Sequence, residues 1–391
     1  DSSASSTNVV VGPEGLRLFK VATPVNTLAW RLGLNGATND VLVRKTQAAT
    51  PFNSQTYDLR QTSQMLLVPN YLAAGDSYYF SVPGAPGSAI NLDCRQQGVT
   101  DLGFVASTNF TVTGFGYTTF RVQVPVQQIA WLTTLATSAG DANFAVRRGF
   151  VPNEWNNDAY SEVPGIATES VMLVPPTLSD GTFYITVYGT NNYTCTFASG
   201  NPVITDVPFS STTTNNDPAR VGWRVFRVLD ITNQLGALGW DLTLTNQPGN
   251  TEIALRRNAV PGRWNFRNNS TSTSTQGSVD YSSTSGFLQR ADHQADIWYV
   301  GIYQPVAPLG SFVLNMREIS TSSENIPGGG SATIANQPPG KFVYFRVDVP
   351  ADALGWELRL TNITSGDPRL SVRRDRLPDN LNSHDAAGNT W

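Results

Sequence analysis

Gly239-Trp240-Asp241-Leu242-Thr243-Leu244 alternates large apolar residues with polar ones, and three other stretches repeat the pattern. They are Ala29-Trp30-Arg31-Leu32-Gly33-Leu34, Ala130-Trp131-Leu132-Thr133-Thr134-Leu135 and Gly355-Trp356-Glu357-Leu358-Arg359-Leu360. Residues two apart share one face of a β-strand, so Trp and Leu face a core while the residues between them face outward. Trp30, Trp131, Trp240 and Trp356 are therefore the expected centres of repeated cores. Thr133 interrupts the Leu alternation in the second.

Working outward, each Trp strand follows another alternating strand: Phe19-Lys20-Val21, Phe120-Arg121-Val122, Phe226-Arg227-Val228 and Phe345-Arg346-Val347. Downstream of each Trp lies an Arg-bearing strand, marked by Arg44, Arg147, Arg256 and Arg373, with Pro51, Pro152, Pro261 or Pro378 soon after. Three of the units close on an aromatic strand, Tyr78-Tyr79-Phe80, Phe183-Tyr184-Ile185 and Trp298-Tyr299-Val300. Short alternating strands, turn signals between them and units of about 100 residues predict an all-β chain of tandem jelly-roll-like β-sandwiches. The expected units are 1–98, 99–202, 203–319 and 320–391, three complete and the fourth partial. Polar linkers are expected at Ser210–Pro218 and Ser320–Pro339. The fourth unit ends before any aromatic closing strand, which predicts that it is completed by further chain or by a strand of a neighbouring copy.

Composition supports this reading and excludes several function classes. Of 391 residues, 40% are hydrophobic and 10% aromatic, enough for packed cores, while only 14% are charged. There are 33 Gly and 24 Pro, the residues that turns need. A net charge of −4 argues against nucleic acid as a partner. No apolar run is long enough for a membrane span. Low charge, three Met and two Cys suit an extracellular or cell-surface protein. Cys94 and Cys195 are spaced like Trp30 and Trp131, which predicts equivalent stations in two sandwiches and no disulfide between them. Asn109, Asn192, Asn268, Asn269 and Asn362 begin glycosylation sequons.

The motifs resemble the bacterial pre-peptidase C-terminal domain. The second repeat carries the likeness best, through Gly140-Asp141-Ala142-Asn143-Phe144-Ala145-Val146-Arg147 and Asp180-Gly181-Thr182-Phe183-Tyr184-Ile185-Thr186-Val187. The third and fourth are similar to a divergent tandem version found in very large bacterial surface and secreted proteins. The resemblance implies a jelly-roll-like sandwich that accompanies an enzyme or builds a stalk, and is rarely catalytic itself.

Candidate sites are few. His293 and His384 are the two histidines, and neither sits in a recognisable metal or nucleophile motif. No catalytic residue and no required cofactor are expected, and the chain reads as non-enzymatic. Asp141 and Asn143 form the one candidate calcium pair. The equivalent positions, Thr38 and Asp40, Asn250 and Glu252, Asp367 and Arg369, do not preserve it. The repeated Arg residues are expected to stack on aromatics or to pair with a carboxylate of an adjacent repeat. Trp155 and Trp264, which follow the Pro turns, are expected to plug junctions between modules. Three roles compete: a structural array (stalk, filament or sheath subunit, or adhesive spacer), a targeting region of a secreted peptidase or glycoside hydrolase, and a carbohydrate- or protein-binding module. Expected partners are neighbouring repeats, copies of the chain itself, or cell-surface and matrix polymers.

Overall fold

The computed structural model describes residues 5–35, 39–51, 57–114, 116–189, 192–215, 222–229, 239–245, 252–262, 278–281, 285–289, 297–304, 312–319, 325–326, 330–337, 343–374, 377–378 and 386–388. These residues contain strands and no helix, so no helix is long and apolar enough to cross a membrane. The chain divides into two compact units, one built on Asp1–Pro202, the other on Val203–Ala219, Arg224–Gln304 and Pro308–Trp391.

The first sandwich comprises β1 (Ser5–Val10), β2 (Leu16–Ala22), β3 (Trp30–Asn35), β4 (Asp40–Lys45), β5 (Leu59–Thr62), β6 (Gln64–Leu67), β7 (Ser77–Pro83) and β8 (Ala89–Gln96). One sheet runs β1-β8-β3-β6 and the other β2-β7-β4-β5. All but one of the connections between consecutive strands cross from one sheet to the other, which is the eight-stranded jelly roll.

The second sandwich begins with an extra strand, β9 (Val99–Leu102). Then come β10 (Ala106–Val112), β11 (Gly116–Val124), β12 (Trp131–Ala139), β13 (Ala142–Arg148), β14 (Ala159–Ser161), β15 (Thr168–Leu173), β16 (Gly181–Gly189) and β17 (Tyr193–Gly200). Its sheets, β10-β17-β12-β15 and β14-β13-β16-β11-β9, repeat the first order with β9 added outside β11. The third sandwich does the same with β18 (Ile204–Pro208), β19 (Ser211–Asn215), β20 (Gly222–Leu229), β21 (Gly239–Thr245), β22 (Glu252–Arg257), β23 (Ser278–Tyr281), β24 (Ser285–Gln289), β25 (Trp298–Gln304) and β26 (Phe312–Ile319). Its sheets are β19-β26-β21-β24 and β18-β20-β25-β22-β23.

The Trp strands sit inside their sheets with the apolar phase inward. Trp240, Leu242 and Leu244 are buried with Trp298 and Val300 of the facing sheet and Phe312 of the neighbouring strand β26. Trp131 packs edge-on against Phe183 at 5.3 Å, and Trp240 against Trp298 at 6.3 Å. The indole N–H groups of these three Trp strands find acceptors: Cys94 Sγ for Trp30 (3.2 Å), Ser199 Oγ for Trp131 (2.9 Å) and Phe209 O for Trp240 (3.0 Å). Thr133 keeps the inward phase because its Oγ1 donates to Val171 O at 3.2 Å, so the buried hydroxyl has a partner.

Three expectations are corrected. Ser211–Asn215, read as linker, is the strand β19, paired with β26 at the edge of its sheet; an edge strand with one wet face accepts Thr and Ser. Cys94 stands opposite Leu32, whereas Cys195 stands opposite Thr137, and Ser199 holds the station of Cys94 opposite Thr133. Both cysteines are free thiols. The largest correction is Trp356, which is 46% exposed. The last segment holds, among the described residues, β27 (Asn325–Ile326) parallel to β28 (Arg346–Val347), and β29 (Leu370–Val372) antiparallel to β30 (Ala386–Gly388). Among the described residues no strand lies between Asp348 and Arg369, so the Trp356 face meets no opposing sheet.

Candidate functional site

In the first compact unit the most elaborate polar and apolar construction is the face shared by the first and second sandwiches. It arises from strands buried on both sides. In β6, Met65 and Leu67 enter the first core, and Leu66, pointing the other way, is buried too. Leu66, Val68 and Ala29 of the first sandwich meet Tyr117, Ala145, Val151, Tyr184 and Tyr188 of the second. The run Met65-Leu66-Leu67-Val68 is the sequence signal for this, because an unbroken apolar run marks a strand covered on both faces.

Polar groups set the register of the joint through backbone carbonyls. Asn153 Nδ2 donates to Leu66 O at 2.9 Å and Asn156 Nδ2 to Pro69 O at 2.8 Å. In the other direction Gln64 Nε2 donates to Gly189 O at 3.3 Å, and Gln97 Nε2 to Tyr117 O at 3.0 Å. Arg31 and Asp93 form a buried ion pair at 3.3 Å, with Arg95 on the same carboxylate. Burial pulls the Arg31 guanidinium below its usual range and Asp93 opposes that shift. The Tyr117 hydroxyl donates to Glu154 at 3.0 Å, and burial raises both groups above their ordinary values.

The repeated arginines fall in different surroundings. Arg147 is buried at the joint, donates to Pro69 O of the first sandwich and lies 5.1 Å from the Phe150 ring centroid. Of the two expected partners, an aromatic face or a carboxylate of the adjacent repeat, it has an aromatic face, and its bond across the joint goes to a carbonyl. Arg44 in β4 is half-buried opposite Tyr79 of β7. Arg256 donates to Val260 O at 3.3 Å, and burial lowers its pKa. Arg373 follows β29, half-buried. Trp155 does not plug the joint: it is 54% exposed, and tyrosines fill the space instead. Trp264, His293 and His384 lie outside the described residues.

Asp141 follows Gly140, whose φ of 83° suits a glycine, and its Oδ1 accepts the Gly165 N–H at 3.1 Å. Asn143 lies in β13 opposite Tyr188. Among the described residues no three His, Cys, Asp or Glu side chains gather as a metal cage. A shallow depression of about 650 Å³ lies beside the joint, lined by Arg148, Phe150, Asp158, Thr182 and Tyr184 among others. The Asp158 carboxylate there accepts the Arg148 N–H at 2.8 Å, and Arg148 Nη2 donates to Asp180 O at 2.9 Å. These bonds fasten strand ends. The site's chemistry is adhesion between modules.

No protein-family model matches the chain, and no curated protein matches it in sequence. Among solved structures it is similar to the pre-peptidase C-terminal domain of a Bacillus anthracis collagenase, at 13% identity over 27% of this chain and 97% of that one, with a TM-score of 0.23. It is also similar to a triple jelly-roll structure from the turret assembly of an archaeal virus, at 11% identity over 82% of this chain and 90% of that one, with a TM-score of 0.24. The jelly-roll assignment rests on the strand order and not on these likenesses.

Proposed function

We propose that the chain is a non-enzymatic spacer of a bacterial extracellular or cell-surface protein, a stalk or filament segment whose first two jelly-roll modules are joined stiffly. The observation that carries this reading is the joint between the first two sandwiches. A flexible string of beads needs only exposed linkers, whereas this joint buries Leu66 and Val68 against three tyrosines and engages backbone carbonyls from both sides. Interfaces between domains of one chain are usually smaller and more polar and permit relative motion, so an apolar joint of this kind opposes bending. The motif resemblance to pre-peptidase C-terminal domains supports the secreted setting.

Residual dipolar couplings test the stiffness. Amides of the first and second sandwiches in the full chain should fit one shared alignment tensor. Asn153→Ala strips a buried carbonyl of its donor, at a cost of about 1–3 kcal/mol, and should split the tensors. Two independent tensors in the unmodified protein would remove the case for a stiff spacer.

A further inference from the structure

Each of the first three sandwiches ends the same strand on a basic residue: Lys45 in β4, Arg148 in β13 and Arg257 in β22. Register sets them opposite Tyr78, Phe183 and Trp298. Two residues before those aromatics the sequence has Asp76, Gly181 and Asp296. In the first sandwich the Asp76 carboxylate forms an ion pair with Lys45 Nζ. The backbone around the first two cations matches, since the Lys45 N–H donates to Asp58 and the Arg148 N–H to Asp158, both at 2.8 Å. The second sandwich differs in the anion. Gly181 stands where Asp76 does, with a φ of 120°, and a Cβ at that position would lie 3.7 Å from Arg148 Nη2.

Arg148 is exposed, and its Nη2 donates to Asp180 O at 2.9 Å. Among the described residues no carboxylate lies within ion-pair reach of its guanidinium. A second change accompanies the first. Two residues beyond the cation stands Phe150, where the other repeats have Gln47 and Ala259. Phe150 is 49% exposed, and the Arg147 guanidinium lies 5.1 Å from its ring centroid. Asp158 and Thr182 add oxygens to the wall of the same depression. Thr182 Oγ1 donates to Gln123 Oε1 at 2.9 Å and keeps a lone pair for a further donor. Arg147 and Arg148 outweigh Asp158, so the wall is net positive. Its volume of about 650 Å³ falls within the range of small-ligand sites.

We propose that this depression binds an acidic glycan: a uronic-acid carboxylate takes the place on Arg148 that Asp76 holds on Lys45, and the sugar ring lies on Phe150. A guanidinium grips a carboxylate through charge-assisted hydrogen bonds, and it retains N–H donors beyond the one given to Asp180. The exposed phenyl ring offers a flat apolar surface to the C–H face of a pyranose. Asp158 and Thr182 accept from sugar hydroxyls. Carboxylate, ring and hydroxyls on one ligand match cation, aromatic and acceptors on one wall. The site belongs to the second sandwich alone and stands apart from the spacer role.

Backbone amide chemical shifts of the full chain test it, with a galacturonic acid hexamer as the probe. The hexamer should shift the amides of Arg148, Gly149, Phe150, Gly181 and Thr182. Its methyl ester keeps the rings without the charge, and a glutamate hexamer keeps the charge without the rings. Each should bind the unmodified protein at least about tenfold more weakly. Arg148→Gln should weaken binding of the galacturonic acid hexamer about tenfold and Phe150→Ala about fivefold. No shift at these amides with millimolar hexamer, equal binding of the methyl ester, glutamate binding as tight as the uronate, or binding unaltered by either substitution would each overturn the proposal. The ester and glutamate comparisons use the unmodified protein and do not depend on how the variants fold.

Discussion

Gly239–Leu244 and Gly355–Leu360 carry the same alternation of Trp, Leu and polar residues, yet Trp240 is fully buried and Trp356 is 46% exposed. In the third sandwich, β21 lies between β24 and β26, and a second sheet covers its apolar face. Around Trp356 no strand is paired and no sheet faces it among the described residues. Periodicity makes a face; only an opposing face makes a core. The contrast extends to hydrogen bonding, since the Trp240 indole reaches Phe209 O, a contact that requires β18, β19 and their connection to be in place.

The widest separation between the two regions should come from truncating the tryptophans, with Trp240 as the large case. Trp240→Ala removes a side chain packed against Phe209 at 5.2 Å and Trp298, and should cost about 3–5 kcal/mol. Denaturant unfolding followed by circular dichroism would measure it. A loss below about 1 kcal/mol would mean that the core does not depend on this residue.

Charge sharpens the same comparison. Glu169 in β15 stands opposite Leu135 on the inward phase of the second sandwich, is fully buried, and accepts the Val163 N–H at 2.6 Å. Burial, only partly offset by that hydrogen bond and one from Ser161, pushes its carboxyl up to about 8. An unfolded Glu titrates near 4.3, so the folded state holds the proton more tightly and stability falls as pH rises from about 4.3 to about 8. Glu169→Gln keeps the shape without the charge. It should match the unmodified protein near pH 4 and exceed it by roughly 5 kcal/mol at pH 9, read from melting across that range. Glu357, exposed in the Trp356 stretch and paired with Arg359 at 2.5 Å, provides the contrast: Glu357→Gln should change stability by less than about 0.5 kcal/mol. A profile of Glu169→Gln parallel to that of the unmodified protein would show that Glu169 ionises freely.

The smallest effect is expected at Trp356. Trp356→Ala should change stability by less than about 0.5 kcal/mol, the range of exposed sites. Acrylamide should quench this indole while sparing Trp240. A loss comparable to that of Trp240→Ala would collapse the comparison, because it would show an opposing face where the described residues have none.

Much of each sandwich was legible in the chain. The Phe-x-Val, Trp-x-Leu, Val-Arg and aromatic strands announce themselves by period-two alternation, and they became β11, β12, β13 and β16 in the second sandwich with the expected inward phase. The edge strand β19 was poorly legible, because an edge strand with one wet face tolerates sequences such as Ser211-Thr212-Thr213-Thr214-Asn215 that read as linker. Equal spacing of Cys94 and Cys195 misled because the loops differ in length. Phe19 pairs with Phe80 but Phe120 with Ile185, four residues further on, so the same count from Trp lands four residues short on β17.

Side-chain periodicity is a local property, set by the pleat, and so the amino-acid sequence by itself determined the all-β class, the repeat and the inward phase of Trp30, Trp131 and Trp240. Which outward residues would also be buried depends on what packs against them. Leu66 and Tyr117 became a joint, Trp155 stayed on the surface, and Asp101 found Arg121 only because β9 runs parallel to β11. Those outcomes depend on contacts between residues far apart in the chain, and only the tertiary structure decided them.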